Sequence, residues 1–415
     1  MRLKSSFLIC LLLSGLLLLN LFGSLSVKPS SEPVIDLSKQ DDNKETENYV
    51  MPESFKGTIS DEFNVPEGVI NTIVSYMDAY YKSLYTLEQV DTSNLFSDEY
   101  YAAISDKAIK LVLDVRKLYD FDFGLNTAHY DLKIRDYTFE NGIHHVEFYE
   151  DDYMKFKFLN DIESQVYEIE GYFEIKEVDG EYKISKLYKE QGYYLSFYDY
   201  TENIADVDKM YDYYYSELKD MVRYNNEVLK ERASRTVYDS GKKVTNQYNR
   251  TAAVEYSNKY FHTRNSSEWY NFAYEGGNCQ NYASQCMYVG GIPMDFLGAD
   301  QWKCYIEDPV YEPELNYNEV QSGRTASWVA VGSFYEYARD NEGFGLVADT
   351  EANLYFAEPG DIIVVGNGGM AHTVIVSKVV DGHILVNSNS IDMKDYPIEA
   401  YTYTYVKLIK ILGSN

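Results

Sequence analysis

Residues 276–291 read GGNCQNYASQCMYVGG, and this stretch decides how the C-terminal half of the chain folds. Apolar residues after Cys279 recur at helical spacing until the second Gly-Gly pair, which ends the predicted helix. A thiol in the first turn of a helix lies beside unpaired N–H groups and the positive end of the helix dipole, and both lower its pKa. The stretch therefore predicts a reactive thiol, Cys279, at the start of a buried helix.

A histidine that can serve this thiol as a base follows about ninety residues later. Residues 370–376 read MAHTVIV, so that His372 stands at the start of an apolar strand and shortly after the glycine-rich loop 366–370. A nucleophilic thiol needs a base within hydrogen-bond reach, and His372 is the best placed of the six histidines. We predict Cys279 as the nucleophile and His372 as its base.

An ordered series of sequence blocks resembles the bacterial putative amidase domain family. The blocks are YNR at 248–250, the cysteine block at 278–291, Trp302, SW at 327–328, EPGDII at 358–363 and AHT at 371–373. The resemblance covers roughly residues 245–410. It implies a papain-like fold related to NlpC-type cell-wall peptidases, in which a helix-borne cysteine packs on an antiparallel sheet, with Cys279 as nucleophile and His372 as base.

The chain departs from the family pattern beside the cysteine and after the last strands. Asn278 and Gln280 stand where the family usually has Asp and Thr, and the family's later His-Thr pair is replaced by residues 389–390, Asn-Ser. An amide oxygen can accept the imidazole N–H and so orient the ring. We therefore expect Asn389 as the third catalytic residue, with Asn387, which has the same strand parity, as the alternative.

Further residues are predicted to support the reaction. The backbone N–H of Cys279, together with the side chain of Asn278 or Gln280, is expected to hold the oxyanion. Trp302 and Trp328 are expected to line the substrate cleft, with burial in the core as the alternative.

Cysteine number and spacing limit the other chemistries. Outside the N-terminal segment there are three cysteines, Cys279, Cys286 and Cys304, and an odd number leaves at least one without an intramolecular partner. A Cys286–Cys304 disulfide and a free, buried Cys286 both remain open. The separation of Cys279 from Cys286 is too wide for a structural zinc pair. No metal and no cofactor are expected.

The N-terminal segment indicates export. Residues 1–26 combine Arg2 and Lys4 with a long apolar run, which is typical of a secretory signal; an uncleaved membrane anchor is the alternative. Residues 27–60 are rich in Ser, Pro and charged residues and are predicted to be a disordered linker. We expect a bacterial protein that is secreted or anchored at the cell surface, with membrane contact only through this N-terminal segment.

The balance of charged residues limits the classes of binding partner that are expected. There are 37 Lys and Arg residues against 66 Asp and Glu, a net charge of −29. Like-charge repulsion opposes binding to nucleic acid and to anionic membranes.

The middle of the chain predicts a different α+β unit. Over residues 61–200, helical spacing comes first and period-2 alternation follows, with turns at 140–142 and 179–180. The order indicates a curved antiparallel meander similar to nuclear-transport-factor-like folds, an analogy that implies no function. A linker helix at 201–244 and the papain-like domain at 245–415 complete an α+β protein.

These observations predict an exported thiol amidase or peptidase that acts on cell-wall peptide or on another amide. The alternative is a non-catalytic surface or wall-binding protein with a degenerate papain-like domain, and a third hypothesis is an acyltransferase that uses the same pair. The N-terminal unit is expected to be a localiser, a spacer or an inhibitor of the site. The sequence does not predict an oligomeric state.

Overall fold

A computed structural model describes residues 34–36, 55–234, 237–273, 276–297, 301–304, 324–401 and 403–415. The predicted signal or anchor at 1–26 lies outside the described residues, as does most of the predicted linker. The linker was predicted to extend to residue 60, but Phe55–Ser60 forms a strand that pairs with Leu125–Glu140. The described helices include none that is both long enough and apolar enough to cross a membrane.

The N-terminal unit has the predicted order of helices followed by an antiparallel meander. Its elements are β1 (Val34–Asp36), β2 (Phe55–Ser60), α1 (Glu67–Thr86), α2 (Glu99–Arg116), β3 (Leu125–Glu140), β4 (Ile143–Phe156), β5 (Glu163–Val178) and β6 (Glu181–Lys189). Strands β3 to β6 pair antiparallel in sequence order, and β2 adds in parallel beside β3. The predicted α+β class is confirmed.

Local turn chemistry explains the two predicted hairpins. Asn141 and Gly142 have φ of 54° and 81°, and Asp179 and Gly180 have φ of 53° and 86°. Two successive residues of positive φ form the two-residue turn whose twist matches that of antiparallel strands, and Asn-Gly and Asp-Gly are its preferred sequences.

A long helix joins the two halves of the chain. After α3 (Tyr193–Tyr200), α4 extends over Ile204–Ser234 within the predicted linker region. The buried Asn225 donates to the Tyr119 hydroxyl at 2.8 Å and to the Tyr403 hydroxyl at 3.2 Å. Because Tyr119 belongs to the N-terminal unit and Tyr403 to the C-terminal one, α4 packs against both.

The C-terminal unit places short helices on an antiparallel sheet. Its elements are β7 (Asn246–Gln247), α5 (Arg250–Tyr260), α6 (Cys279–Val289), α7 (Ala326–Val329), α8 (Val331–Asp340), β8 (Leu346–Asp349), β9 (Ile362–Gly366), β10 (His372–Val380), β11 (His383–Ser388), β12 (Asp392–Pro397) and β13 (Tyr405–Ser414). Helices α5 and α6 pack against each other and against β10. The predicted helix-borne cysteine on an antiparallel sheet is confirmed.

Strand β5 joins the two units into one sheet because it changes partner along its length. Its residues 171–178 pair with β6, whereas residues 165–167 pair with residues 392–394 of β12. The two segments are separated at Glu168, which has a φ of 54°. The strand order is therefore continuous from β1-β2-β3-β4-β5 through β12-β11-β10-β9-β13-β7.

Two of the sequence blocks meet in a buried charge network. Arg250 of the YNR block donates to Asp361 of the EPGDII block at 2.7 Å and to the Pro359 carbonyl at 2.9 Å. Lys410 of β13 lies 3.3 Å from the same carboxylate, which has no exposed surface. These blocks therefore attach α5 to strands β9 and β13.

All three described thiols are free, so the Cys286–Cys304 disulfide is not formed. Cys286 has no exposed surface and packs in the core between α6 and the sheet. The alternative of a free, buried Cys286 is confirmed.

Candidate active site

Cys279 is the first residue of α6, as predicted from the Gly-Gly-Asn-Cys stretch. Asn278 precedes the helix with φ −111° and ψ 0°, and Gly276 and Gly277 adopt φ of 100° and 112°. A side chain at either glycine would strain the backbone in this left-handed region. The thiol is nearly enclosed, with 9% of Cys279 exposed.

Burial controls the charge state of the thiol. Burial raises the pKa of Cys279, while the backbone N–H groups of Thr373, Gln280 and Cys279 itself lower it by hydrogen bonding to the sulfur. The net direction is upward. The N–H groups expected at the helix start are present, but burial outweighs them, so the pKa of Cys279 is raised and not lowered as the helix start predicted.

His372 is the first residue of β10 and lies opposite Val365 in the register with β9. Its half-buried ring stacks on Tyr401, with ring centroids 6.4 Å apart and planes at 25°. The Nε2 atom is buried and has no hydrogen-bond partner among the described residues. Burial lowers the pKa of His372 to about 4, so the imidazole is neutral at pH 7.

The structure places the Cys279 thiol close to the start of β10, where His372 lies. The N–H of Thr373, the residue after His372, donates to the Cys279 sulfur. Tyr401, on which His372 stacks, is also close enough to interact electrostatically with Cys279. The thiol therefore lies beside the backbone at the start of β10, and the imidazole Nε2 makes no hydrogen bond to the sulfur or to any other described group.

Asn389 does not orient the imidazole, and that prediction is wrong. Its Oδ1 accepts from Asn278 Nδ2 at 2.7 Å. Its Nδ2 donates to the carbonyls of Tyr260 and Phe261 at 3.2 and 2.9 Å. The side chain holds the residue before the nucleophile instead of the base.

The alternative, Asn387, is wrong as well. Its Nδ2 donates to Ser257 Oγ and Asn258 Oδ1 at 2.8 and 2.9 Å, and its Oδ1 accepts from the N–H of Asp395 at 2.9 Å. Among the described residues, the ring that stacks on His372 is that of Tyr401. Tyr401 falls in the sequence YTYTY at 401–405, and nothing local ties that run to the histidine.

The two predicted supporting side chains are engaged in the framework. Asn278 Oδ1 accepts from the N–H of Phe272 at 3.1 Å and from Asn281 Nδ2 at 2.8 Å. Gln280 has no exposed surface; its Oε1 accepts from Thr373 Oγ1 at 2.9 Å. Both side-chain oxygens are therefore occupied by contacts inside the domain.

Trp302 and Trp328 belong to the core, so their placement in the cleft is wrong and the core alternative is confirmed. Both are fully buried, with ring centroids 4.6 Å apart. Their indole N–H groups donate to Ser284 Oγ at 3.2 Å and to Asn281 Oδ1 at 2.9 Å. They fasten α6 to the rest of the domain.

One group among the described residues has metal-ligand types close together, namely Glu168, His262 and Asp392. Arg264 already makes two hydrogen bonds to Asp392, at 2.8 and 2.9 Å, and His262 Nδ1 lies 3.0 Å from the same carboxylate. A carboxylate compensated by a guanidinium is a poor cation ligand, and the group reads as an ion-pair network. Sequence spacing showed no companion for His262.

Comparison with known proteins agrees with the resemblance. Residues 247–412 match the model of a family described as "Putative amidase domain". Uncharacterized protein YhbB of Bacillus subtilis (strain 168) is 30% identical over 155 residues, which are 36% of this chain and 43% of that protein. The chain therefore spans less than half of that relative's length.

A solved structure titled as a putative scytalone dehydratase from Novosphingobium aromaticivorans is 12% identical, with a TM-score of 0.21. The match covers 29% of this chain and 83% of that one. At this TM-score the likeness supports no conclusion about the N-terminal unit, and its similarity to nuclear-transport-factor-like folds stays a prediction.

Proposed function

Because residues 247–412 match the putative amidase domain family, we propose that this protein is a thiol-dependent amidase that uses Cys279 as nucleophile and His372 as base. The observation that carries the proposal is that the N–H of Thr373, the residue after His372, donates to the sulfur of the α6-borne thiol. The two groups are placed by separate elements, α6 and β10, which pack together.

The geometry supports acyl transfer through a thioester. His372 takes the thiol proton as the sulfur attacks the amide carbonyl, and the carbonyl oxygen becomes the oxyanion. The backbone N–H groups of Cys279 and Gln280 face the sulfur, and we assign them as donors for that charge. His372 then protonates the leaving amine and activates the water that releases the acid product.

The neutral state of Cys279 and His372 implies that their protonation states change during the reaction. A base with a pKa of about 4 accepts a proton poorly at pH 7. Because burial shifts both groups away from charge, hydration or a polar substrate would lower the pKa of Cys279 and raise that of His372. We infer that substrate binding produces the charged pair.

We propose that the substrate is an extracytoplasmic amide, with the peptide of the bacterial cell wall as the first candidate. Two sequence observations support this: the signal-like residues 1–26 and the resemblance to cell-wall amidohydrolases. The competing function is a non-catalytic surface or wall-binding protein, which is favoured by the neutral pair and by the absence of a hydrogen bond from Asn389 or Asn387 to the imidazole.

The test compares residues 27–415 with Cys279→Ala and His372→Ala on peptidoglycan fragments and peptide amides, with products mapped by mass spectrometry. Cys286→Ala is the matched control, because it removes a buried thiol from the same helix. We expect product release to fall to background in Cys279→Ala, to fall about 10²-fold or more in His372→Ala, and to persist in the control. Equal release by Cys279→Ala and the unsubstituted protein would overturn the proposal.

A further inference from the structure

We propose that the turn at residues 389–392, named here the bracket turn, positions the nucleophile, and that the N-terminal unit holds the bracket turn in place. The inference rests on the proposed role of Cys279. It assigns the N-terminal unit a part in building the active site, in place of the localiser, spacer or inhibitor that the sequence suggested.

The bracket turn makes two hydrogen bonds to Asn278, the residue before the nucleophile, one to its backbone and one to its side chain. The N–H of Asn278 donates to Ser390 Oγ, and Asn278 Nδ2 donates to Asn389 Oδ1 at 2.7 Å. Asn278 and Asn389 also line a common cavity of about 10 Å³, which is at the lower limit for one water molecule. Since Asn278 is bonded to Cys279, the two hydrogen bonds fix the backbone of the nucleophile.

These two hydrogen bonds depend on a strained backbone. Ser390 has φ of 95°, which residues with a side chain rarely adopt. Its N–H donates to Asp392 Oδ1 at 3.1 Å, and this bond closes the turn. Ile391 between them is 46% exposed, so its side chain adds little burial to the turn. Strain of this kind persists only where the surroundings enforce it.

Asp392 is the enforcing residue. Only 4% of it is exposed, and it accepts two hydrogen bonds from Arg264 and one from His262. It is the first residue of β12 and lies opposite Tyr167 of β5. The His262 ring stacks on Tyr167, with centroids 4.6 Å apart and planes at 22°. Tyr167 therefore supports both the strand that carries Asp392 and a side chain that binds its carboxylate.

Removing this support would expose the strand that leaves the bracket turn. β12 lies between β11 and β5, and without β5 it would become an edge strand with unpaired N–H and C=O groups. The strand that continues the bracket turn, β12, is thus the one that pairs with β5 of the N-terminal unit. A displacement of about 1 Å at a nucleophile can cost about 10²-fold in rate.

The test substitutes Tyr167 in residues 27–415 and measures the nucleophile helix directly. Tyr167→Ala removes the stack on His262, whereas Tyr167→Phe keeps it. Tyr172→Ala is the matched control, because Tyr172 also lies on β5 and its ring also contacts a histidine, His145, with centroids 5.0 Å apart, but it pairs toward β6. Ser390→Ala removes the acceptor for the Asn278 N–H.

We expect amide hydrogen exchange in residues 276–289 to rise about tenfold or more in Tyr167→Ala and Ser390→Ala, and to stay unchanged in Tyr167→Phe and Tyr172→Ala. With a cleaved substrate, the first two variants should lose kcat with little change in KM. Unchanged exchange in Tyr167→Ala, or an equal rise in Tyr172→Ala, would overturn the inference. Because exchange needs no substrate, faster exchange together with an active Cys279→Ala would refute the proposed function alone.

Discussion

The charge state of the catalytic pair can be tested by alkylating Cys279 across the pH range. Burial raises the pKa of the thiol above its ordinary value, and burial lowers the pKa of His372 to about 4. The Cys279 thiolate therefore forms only at a pH above the ordinary pKa of a thiol, and the His372 imidazolium forms only below about pH 4. Between these limits both groups are neutral.

The expected magnitude follows from the titration of a thiol. An ordinary cysteine has a pKa of about 8.5, so at pH 7 about 3% of it is thiolate. The raised pKa puts Cys279 below that fraction, and only the thiolate reacts with iodoacetamide. The alkylation rate should therefore rise about tenfold per pH unit from pH 6 to pH 8, and at pH 7 should lie at least about 30-fold below its plateau.

The assay measures alkylation of the Cys279 peptide by mass spectrometry between pH 4 and pH 10, with the urea-unfolded chain as the reference thiol. His372→Ala is the decisive variant. Because a neutral imidazole contributes no charge, its removal should leave the pH midpoint of Cys279 alkylation unchanged. A rate plateau between pH 5 and pH 7 that disappears in His372→Ala would refute the reasoning. That result would show a preformed thiolate–imidazolium pair.

Two further predictions concern stability. Asp361→Asn should lower the free energy of unfolding by about 3 kcal/mol in urea titration, because it leaves Arg250 and Lys410 without their shared buried carboxylate. This value is the lower end of the range for a broken buried ion pair, and it applies because Arg250 is partly exposed. A loss under about 1 kcal/mol would show that the network adds little. His262 has a pKa raised chiefly by its hydrogen bond to Asp392, so its stabilisation is present below about pH 6.5 and lost as the pH rises through the raised value. His262→Gln should reduce the difference in Tm between pH 5.5 and pH 8, and an unchanged difference would contradict this.

The sequence by itself determined the local features of this protein. The start of α6 at Cys279 followed from the glycines before it and the apolar spacing after it, and both hairpins followed from Asn-Gly and Asp-Gly. His372 at the start of β10 followed from the glycine-rich loop and the apolar run. These features depend on residues within a few positions of one another, where backbone preference and hydrophobic periodicity act directly.

Other features were decided by the tertiary structure alone. Asn389 binds Asn278, 111 positions away, instead of His372, and β5 pairs with β12 from the far end of the chain. Hydrogen-bonding capacity marks Asn389 as a polar partner but does not specify which group it meets. The neutral state of Cys279 and His372 has the same origin, because burial is a property of everything packed around a group, and no local pattern measures it. The residue types defined the chemistry available, and packing decided which groups meet and in which charge state.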